Sequence, residues 1–202
     1  EPNTLILEKE TFLQEGILFA GSDFFQMFTH KFLRGDSENP LEDPFSIVLT
    51  RTAAKKYFGA DNPIGQTISF DGEFDLQVTA VIEDVPHNSH LQFEVVLPMN
   101  GFNELHAYIY GYEASYRLAD NWKTGMFHTY ITLHENAEPG LLEQKFPEFL
   151  KKYAPYNQEL LDESLYLQPV EKIHLYSQYR SQTDKIRDMK FIYAVIAVGL
   201  VI

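Results

Sequence analysis

Two histidines close together in the sequence are the first candidates for metal chemistry. His87 and His90 lie three residues apart and could both face one metal ion. Structural zinc sites need four ligands and catalytic sites three, however, and the sequence places no third ligand beside them. Because Asn88 and Ser89 have side chains that close turns, the segment is predicted to be a loop with no metal role.

Carboxylates are the other candidates, but no motif arranges them for catalysis. The chain has 29 acidic residues, so neighbouring acids are expected and are usually a solvated face. The acids considered as candidates for acid–base work are Glu83, Asp84, Glu159, Asp162 and Glu163. The sequence contains no glycine-rich phosphate loop, no Gly-x-Ser-x-Gly elbow and no His-Glu-x-x-His motif. We therefore predict no catalytic, cofactor-binding or metal-binding residue. A metal hydrolase using His87, His90 and nearby carboxylates remains a hypothesis that metal analysis would test.

Composition limits the classes of partner. The 202 residues are 45% hydrophobic and carry a net charge of −13. This length and composition are typical of a globular chain with a real core. So acidic a surface is repelled by phosphate backbones, which argues against nucleic-acid binding. The chain has no cysteine, which excludes disulfides and thiolate chemistry.

Residues 46–82 are the most readable segment, and they predict a βαββ unit. An apolar strand over 46–49 is followed by Thr50, a favourable N-cap. Apolar residues four apart give the next segment a helical face, and Gly59 is placed to end that helix. Strands over 66–70 and 74–82 are then joined by an Asp71-Gly72 turn.

The segments before this unit predict two strands and a helix. The strands cover residues 4–7 and 16–20. The helix is capped by Ser22, and Phe24, Phe28 and Phe32 repeat along it at four-residue spacing, which favours a face that packs on the core over a ligand groove. A polar loop is expected from Arg34 to Pro44, whose Arg-Gly-Asp tripeptide is not interpreted as an adhesion motif.

The segments after the unit predict a second α/β arrangement. Strands are expected over 92–97, 128–133 and 165–170, with 171–176 continuing in extended form. Residues 139–153 have a helical pattern that Pro147 interrupts, which predicts a kink or a late start. The apolar face of this helix comprises Leu142, Phe146, Phe149, Leu150 and Tyr153.

Residues 98–127 are rich in aromatic side chains. Their rings could form a surface that contacts a partner or substrate, or could simply pack on the sheet. The residues named as partner contacts under the first interpretation are Tyr108, Tyr110, Tyr112, Tyr116 and Trp122.

The last twelve residues, FIYAVIAVGLVI, are an unbroken apolar run. A spanning helix needs about 20 such residues, so the run is either a buried helix or the start of a membrane helix. We favour the membrane helix, because a fully apolar helix on a soluble domain would need cover on all sides. Deletion of residues 191–202 would distinguish the two alternatives, because a buried core helix cannot be removed without loss of the fold.

Five sequence pieces in a fixed order carry a family resemblance. They are FFQMF…LRGD, SIVLTRTAAKKYFG, NPIGQTISF, VTAVIEDVPHNSH and FEVVLP. This succession resembles the extracytoplasmic (periplasmic) core domain of ABC-transporter permeases of the MacB and FtsX-like group, in the form found in Bacteroidetes-type bacteria. The resemblance is dense over residues 17–98 and loose from 99 to 183.

The resemblance implies an α+β fold with two subdomains. A porter-like split β-α-β subdomain would comprise residues 1–44 and 121–183. A smaller α/β subdomain, similar to the one called sabre, would be inserted as residues 45–120. Residues 184–202 would begin a truncated transmembrane helix.

The function implied is that of a non-catalytic module of an inner-membrane transporter, located in the periplasm. It would couple cytoplasmic ATP hydrolysis to periplasmic movement for export or for handling of a lipoprotein or other substrate. The implied partners are a cytoplasmic ATP-binding subunit or domain reached through the membrane helices, a second permease copy, and a periplasmic adaptor or lipoprotein. No cofactor is implied. The alternative is a soluble ligand- or protein-binding domain unrelated to transport.

Overall fold

The computed structural model describes residues 4–7, 10–13, 16–102, 105, 127–155 and 165–173. It divides into two compact units, Glu1–Leu118 and Ala119–Ile202. The described part of the first unit contains a mixed eight-stranded sheet together with α-helices, which confirms the predicted α+β class. Its strands and helices, in chain order, are β1 (Thr4–Leu7), β2 (Glu10–Leu13), β3 (Ile17–Ala20), α1 (Phe24–Met27), β4 (Phe32–Gly35), β5 (Ser46–Thr50), α2 (Arg51–Phe58), β6 (Thr67–Phe70), β7 (Phe74–Ile82) and β8 (Val95–Pro98).

The sheet is organised around β7. Seven strands follow the order β2-β1-β6-β7-β5-β8-β3, and β4 pairs with β7 outside this path. β7 is nine residues long, so its first half pairs with β6 and its last residues pair with β4. β5 runs parallel to β7 on the other edge. Strands before and after residue 44 therefore share one sheet, while the predicted subdomain limits stay a prediction.

The predicted βαββ unit is confirmed as β5-α2-β6-β7. Thr50 precedes α2, and its side chain accepts a hydrogen bond from the backbone of Ala53. Gly59 ends the helix at a φ of 60°. The hairpin between β6 and β7 has a three-residue loop, 71–73, which turns at Asp71 and Gly72 with φ values of 49° and 77°.

Both faces of the sheet are buried in apolar clusters. The cluster on one face receives Ala53 and Tyr57 from α2, and also contains Ile47, Leu49 and Val78. The cluster on the other face includes Val48, Ala80, Ile82, Val96 and Phe93. All five residues of β5 are buried, so this strand is the centre of the core.

The predictions around Phe24 need correction. The helix there is four residues long, and its N-cap is Asp23 rather than Ser22, with no side-chain cap hydrogen bond. Phe32 lies in β4, so the three-phenylalanine spacing does not belong to one helix. Arg34 and Gly35 are also in β4, and the loop begins at Asp36. The core interpretation holds for Phe24 and Phe32, which pack on the second apolar cluster.

The described part of the second unit contains two helices, α3 (Pro139–Glu143) and α4 (Phe146–Tyr153). They confirm the interruption expected at Pro147, which lies in the first turn of α4. Leu150 is buried, but Phe149 and Tyr153 are exposed. The predicted strands over 128–133 and 165–170 are wrong, since 128–133 and 165–169 are described and have no regular structure. Val170–Lys172 form a 3-10 helix instead of an extended segment.

The strand expected over 92–97 begins later, at Val95, and β2 was not predicted. No helix among the described residues is long and apolar enough to cross a membrane. The predicted membrane segment, residues 184–202, lies outside the described residues.

Candidate functional site

A groove on the α2 side of the sheet is the candidate site. It has a volume of about 420 Å³ and lies between β4, α2, the loop after α2 and the end of β7. Its apolar lining comprises Leu33, Ala54, Pro63 and Val81. Three cationic side chains, Arg34, Arg51 and Lys55, also line it, together with one acid, Asp61. The groove thus combines apolar surface with positive charge in a chain of net charge −13.

Local sequence signals fix the helix that forms one wall. Thr50 Oγ1 accepts a 3.2 Å hydrogen bond from Ala53 N, and Asp84 Oδ1 accepts a 2.8 Å hydrogen bond from Thr52 N. These bonds satisfy backbone donors that a helix start leaves without an intrahelical partner. The helix is therefore fastened at its first turn, which sets the positions of Arg51 and Lys55.

Pairing with β7 positions the opposite wall. Arg34 pairs with Val81, and Leu49 of β5 pairs with Val81 on the other side. Cross-strand partners project to the same face, so Arg34 lies on the face that α2 covers. The register shifts between Phe32 and Arg34. The sheet therefore places Arg34 at the groove through pairing that no local sequence pattern indicates.

Glu83 links the two walls. Its Oε1 lies 2.8 Å from Arg51 Nη2 and 2.9 Å from Lys31 Nζ. The hydrogen bond from Lys31 lowers the pKa of the Glu83 carboxyl below its ordinary value, and Arg51 adds to the effect. Glu83 therefore stays ionised and holds both the residue before β4 and the first residue of α2.

Arg34 and Lys55 differ from Arg51. Both side chains are exposed, and neither makes a hydrogen bond or ion pair with any residue that the structure describes. The two cations are thus available to an incoming group, whereas Arg51 is held by Glu83.

The segment with His87 and His90 is a turn, as predicted. Ser89 N donates to Pro86 O at 2.9 Å, and Ser89 Oγ accepts from Leu91 N at 3.2 Å. Across the described residues, no three histidine or carboxylate side chains are grouped to hold a metal ion.

His30 lies in an aromatic cluster on the opposite face of the sheet from α2. Its ring is 5.5 Å from those of Phe24 and Phe93 and 5.6 Å from that of Phe25. Burial lowers the pKa of His30, because desolvation disfavours the imidazolium. This cluster was not predicted, since His30 joins it through tertiary packing.

The aromatic residues predicted as partner contacts, Tyr108, Tyr110, Tyr112, Tyr116 and Trp122, lie outside the described residues. Their role stays a prediction. Sequence reasoning missed the groove, because exposed cations such as Arg34 and Lys55 look like ordinary solvated surface until the fold brings them together.

Solved structures with a similar fold include a permease domain and a periplasmic domain. A domain assigned to a permease protein from Porphyromonas gingivalis is 21% identical, with a TM-score of 0.56 over 74% of this chain. The present chain spans 64% of that one's length. The periplasmic region of MacB from Actinobacillus actinomycetemcomitans is 15% identical, with a TM-score of 0.50 over 82% of this chain and 74% of the other.

No curated protein matches the chain. The model of the MacB-like periplasmic core domain matches residues 6–148, which is more than half of the sequence. This range contains α2, the groove and all of the sheet except the first two residues of β1. The chain therefore belongs to the MacB-like periplasmic core domain family.

Proposed function

We propose that the chain is the non-catalytic extracytoplasmic domain of an ABC-transporter permease in the inner membrane. The family match over residues 6–148 is the observation that carries this proposal. On this view, residues 184–202 begin a membrane helix, and the domain lies in the periplasm. The porter-like parts, 1–44 and 121–183, and the sabre-like insert, 45–120, are the subdomains we propose for it.

The proposed work of the domain is mechanical. ATP binding and hydrolysis in a cytoplasmic subunit or domain would move the membrane helices, and these would move the periplasmic domains of two permease copies. Such coupling requires two arrangements of the domains whose relative populations change when nucleotide binds. It requires no chemistry in the periplasm.

The fastening of α2 to β7 supports a domain that moves as a rigid element. Glu83 and Asp84 join the end of β7 to Arg51 and to Thr52 N at 2.8 Å each. A displacement applied to this sheet would be passed to α2 rather than absorbed between them. A domain that transmits movement must have its parts joined in this way, so that nucleotide binding far away can change the position of the whole domain.

The partners proposed beyond the membrane are a periplasmic adaptor or lipoprotein. The aromatic residues Tyr108, Tyr110, Tyr112, Tyr116 and Trp122 are proposed as contacts for that partner or for the substrate. Tyrosine and tryptophan suit this role because they bury large surfaces and retain a polar group.

The coupling is tested in the whole transporter. Position 73 lies in the exposed β6–β7 turn, so Glu73→Cys in both permease copies carries a spin label without disturbing the core. The proposal expects the distance between the two labels to change when ATP is bound and to return after hydrolysis. A distance that is the same with ATP, with ADP and without nucleotide would contradict mechanical coupling.

A further inference from the structure

The groove between β4 and α2 has three features that together specify a ligand. Its volume of about 420 Å³ is within the range of sites that bind small ligands or a few side chains. Its lining combines apolar side chains and one acid, Asp61, with Arg34 and Lys55, which have no partner in the described part of the chain. A ligand that fills it would therefore present both apolar groups and negative charge.

We propose that this groove binds a short acidic segment of a partner protein, in which carboxylate side chains alternate with apolar ones. The carboxylates would accept hydrogen bonds from Arg34 and Lys55, and the apolar side chains would cover Leu33, Ala54 and Val81. The proposal stands on the groove itself and does not depend on the transport function.

Charge distribution favours such a segment over larger polyanions. The whole chain has a net charge of −13, so an extended anionic surface such as a membrane or a nucleic acid would be repelled by the chain as a whole. Interactions between exposed charges are largely screened beyond about 8 Å at physiological salt. A short segment would place its carboxylates within this distance of Arg34 and Lys55 without bringing further negative charge against the rest of the acidic chain.

The role of Glu83 strengthens the proposal. It occupies Arg51 with a 2.8 Å ion pair, so that cation is already satisfied. Arg34 and Lys55 have no such ion pair with any described residue, and they lie on two different walls, β4 and α2. A segment binding between these walls would therefore contact both elements at once. Arginine is suited to this, because its guanidinium binds carboxylates through two parallel hydrogen bonds.

A peptide selection tests this with the full chain. Short random peptides displayed on phage are selected for binding to the purified protein, and the most enriched peptide is measured by fluorescence anisotropy. We expect the selected peptides to be rich in Asp and Glu interleaved with apolar residues. The double variant Arg34→Glu, Lys55→Glu should weaken their binding by about tenfold or more, as expected for central charged contacts.

Controls separate the groove from general electrostatics. The control is the double variant Lys145→Glu, Lys151→Glu, which changes the net charge by the same amount at exposed residues of the second unit. It should change the affinity for the peptide by less than about twofold. Urea unfolding shows whether each variant keeps its fold, and Arg34→Gln with Lys55→Gln replaces the charge reversal if it does not. The proposal is overturned if the selected peptides are not acidic, if both double variants weaken binding equally, or if inorganic phosphate competes fully with the peptide.

Discussion

Asp84 and Thr52 are 32 residues apart in the sequence, and Asp84 Oδ1 accepts a 2.8 Å hydrogen bond from Thr52 N. The acid that follows β7 thus caps the first turn of α2. Thr50 supplies a second cap from the chain that enters the helix. The neighbouring Glu83 binds Arg51, so two consecutive acids fasten two different groups of the same helical turn. The groove depends on this attachment, because α2 forms one of its walls.

The cap gives a stability prediction. Asp84→Ala should lower the free energy of unfolding by about 1 kcal/mol, because Thr52 N loses its acceptor at the helix start. Asp61→Ala removes an exposed aspartate of the same region and should change the free energy by less than about 0.5 kcal/mol. Urea unfolding followed by circular dichroism measures both. Equal effects would show that Asp84 does not act as a cap.

The ion pairs of Glu83 give a pH dependence. Because the folded-state pKa lies below the ordinary value of 4.5, the stabilisation is present above pH 4.5 and is lost as the pH falls through the lowered pKa. Glu83→Gln should therefore lower the urea midpoint at neutral pH, and its difference from the wild type should shrink in acid. Glu73→Gln, at an exposed turn, is the matched control. A difference that does not depend on pH would contradict this account.

Gly35 is predicted to resist substitution. It has a φ of 86°, and a Cβ added there would meet Thr79 O and would lie 2.8 Å from Ala80 Cα. Gly35→Ala should therefore cost about 2–5 kcal/mol, the sum of backbone strain and overpacking. Gly59→Ala has a φ of 60° but no neighbouring atom within 4 Å, so it isolates the strain at about 1–2 kcal/mol. Similar unfolding free energies for the two variants would show that steric overlap with Thr79 and Ala80 contributes nothing at position 35.

His30 should titrate below its ordinary pKa of 6.5, because burial among phenylalanines disfavours its charged form. The neutral ring then contributes stability above pH 6.5 that is lost as the pH falls through the lowered pKa. His90, which packs on Phe28 of the same cluster, is the neighbouring titratable group. An NMR titration assigned with His30→Phe measures the midpoint. A midpoint for His30 at or above 6.5 would contradict the prediction.

Local signals made the β5-α2-β6-β7 unit predictable. Thr50, Gly59 and the Asp71-Gly72 pair each specify a backbone conformation through their own chemistry, and the structure has all of them. The strand β4 was missed because it is a strand through its pairing with β7 and the close approach of Gly35 to Thr79. Alternation alone misled at 128–133, where the described residues form no sheet.

The candidate site was less predictable than the fold. Glu83 was noted as an acid without a partner that the sequence could fix, and its partners lie 32 and 52 residues away. Arg34 and Lys55 come from different elements, and only the sheet register and the packing of α2 bring them to one groove. Charge and spacing along the chain contain no information about such an encounter.

Thiol labelling in whole cells tests the proposed periplasmic location of the domain. The chain has no cysteine, so Glu73→Cys can be the single reactive thiol of the domain in the full protein within its native membrane. We predict that a reagent unable to cross the inner membrane labels this thiol as fully in intact cells as after lysis. Val78→Cys, which is buried, should react only after unfolding. Labelling of position 73 only after lysis would place the domain in the cytoplasm and contradict the account.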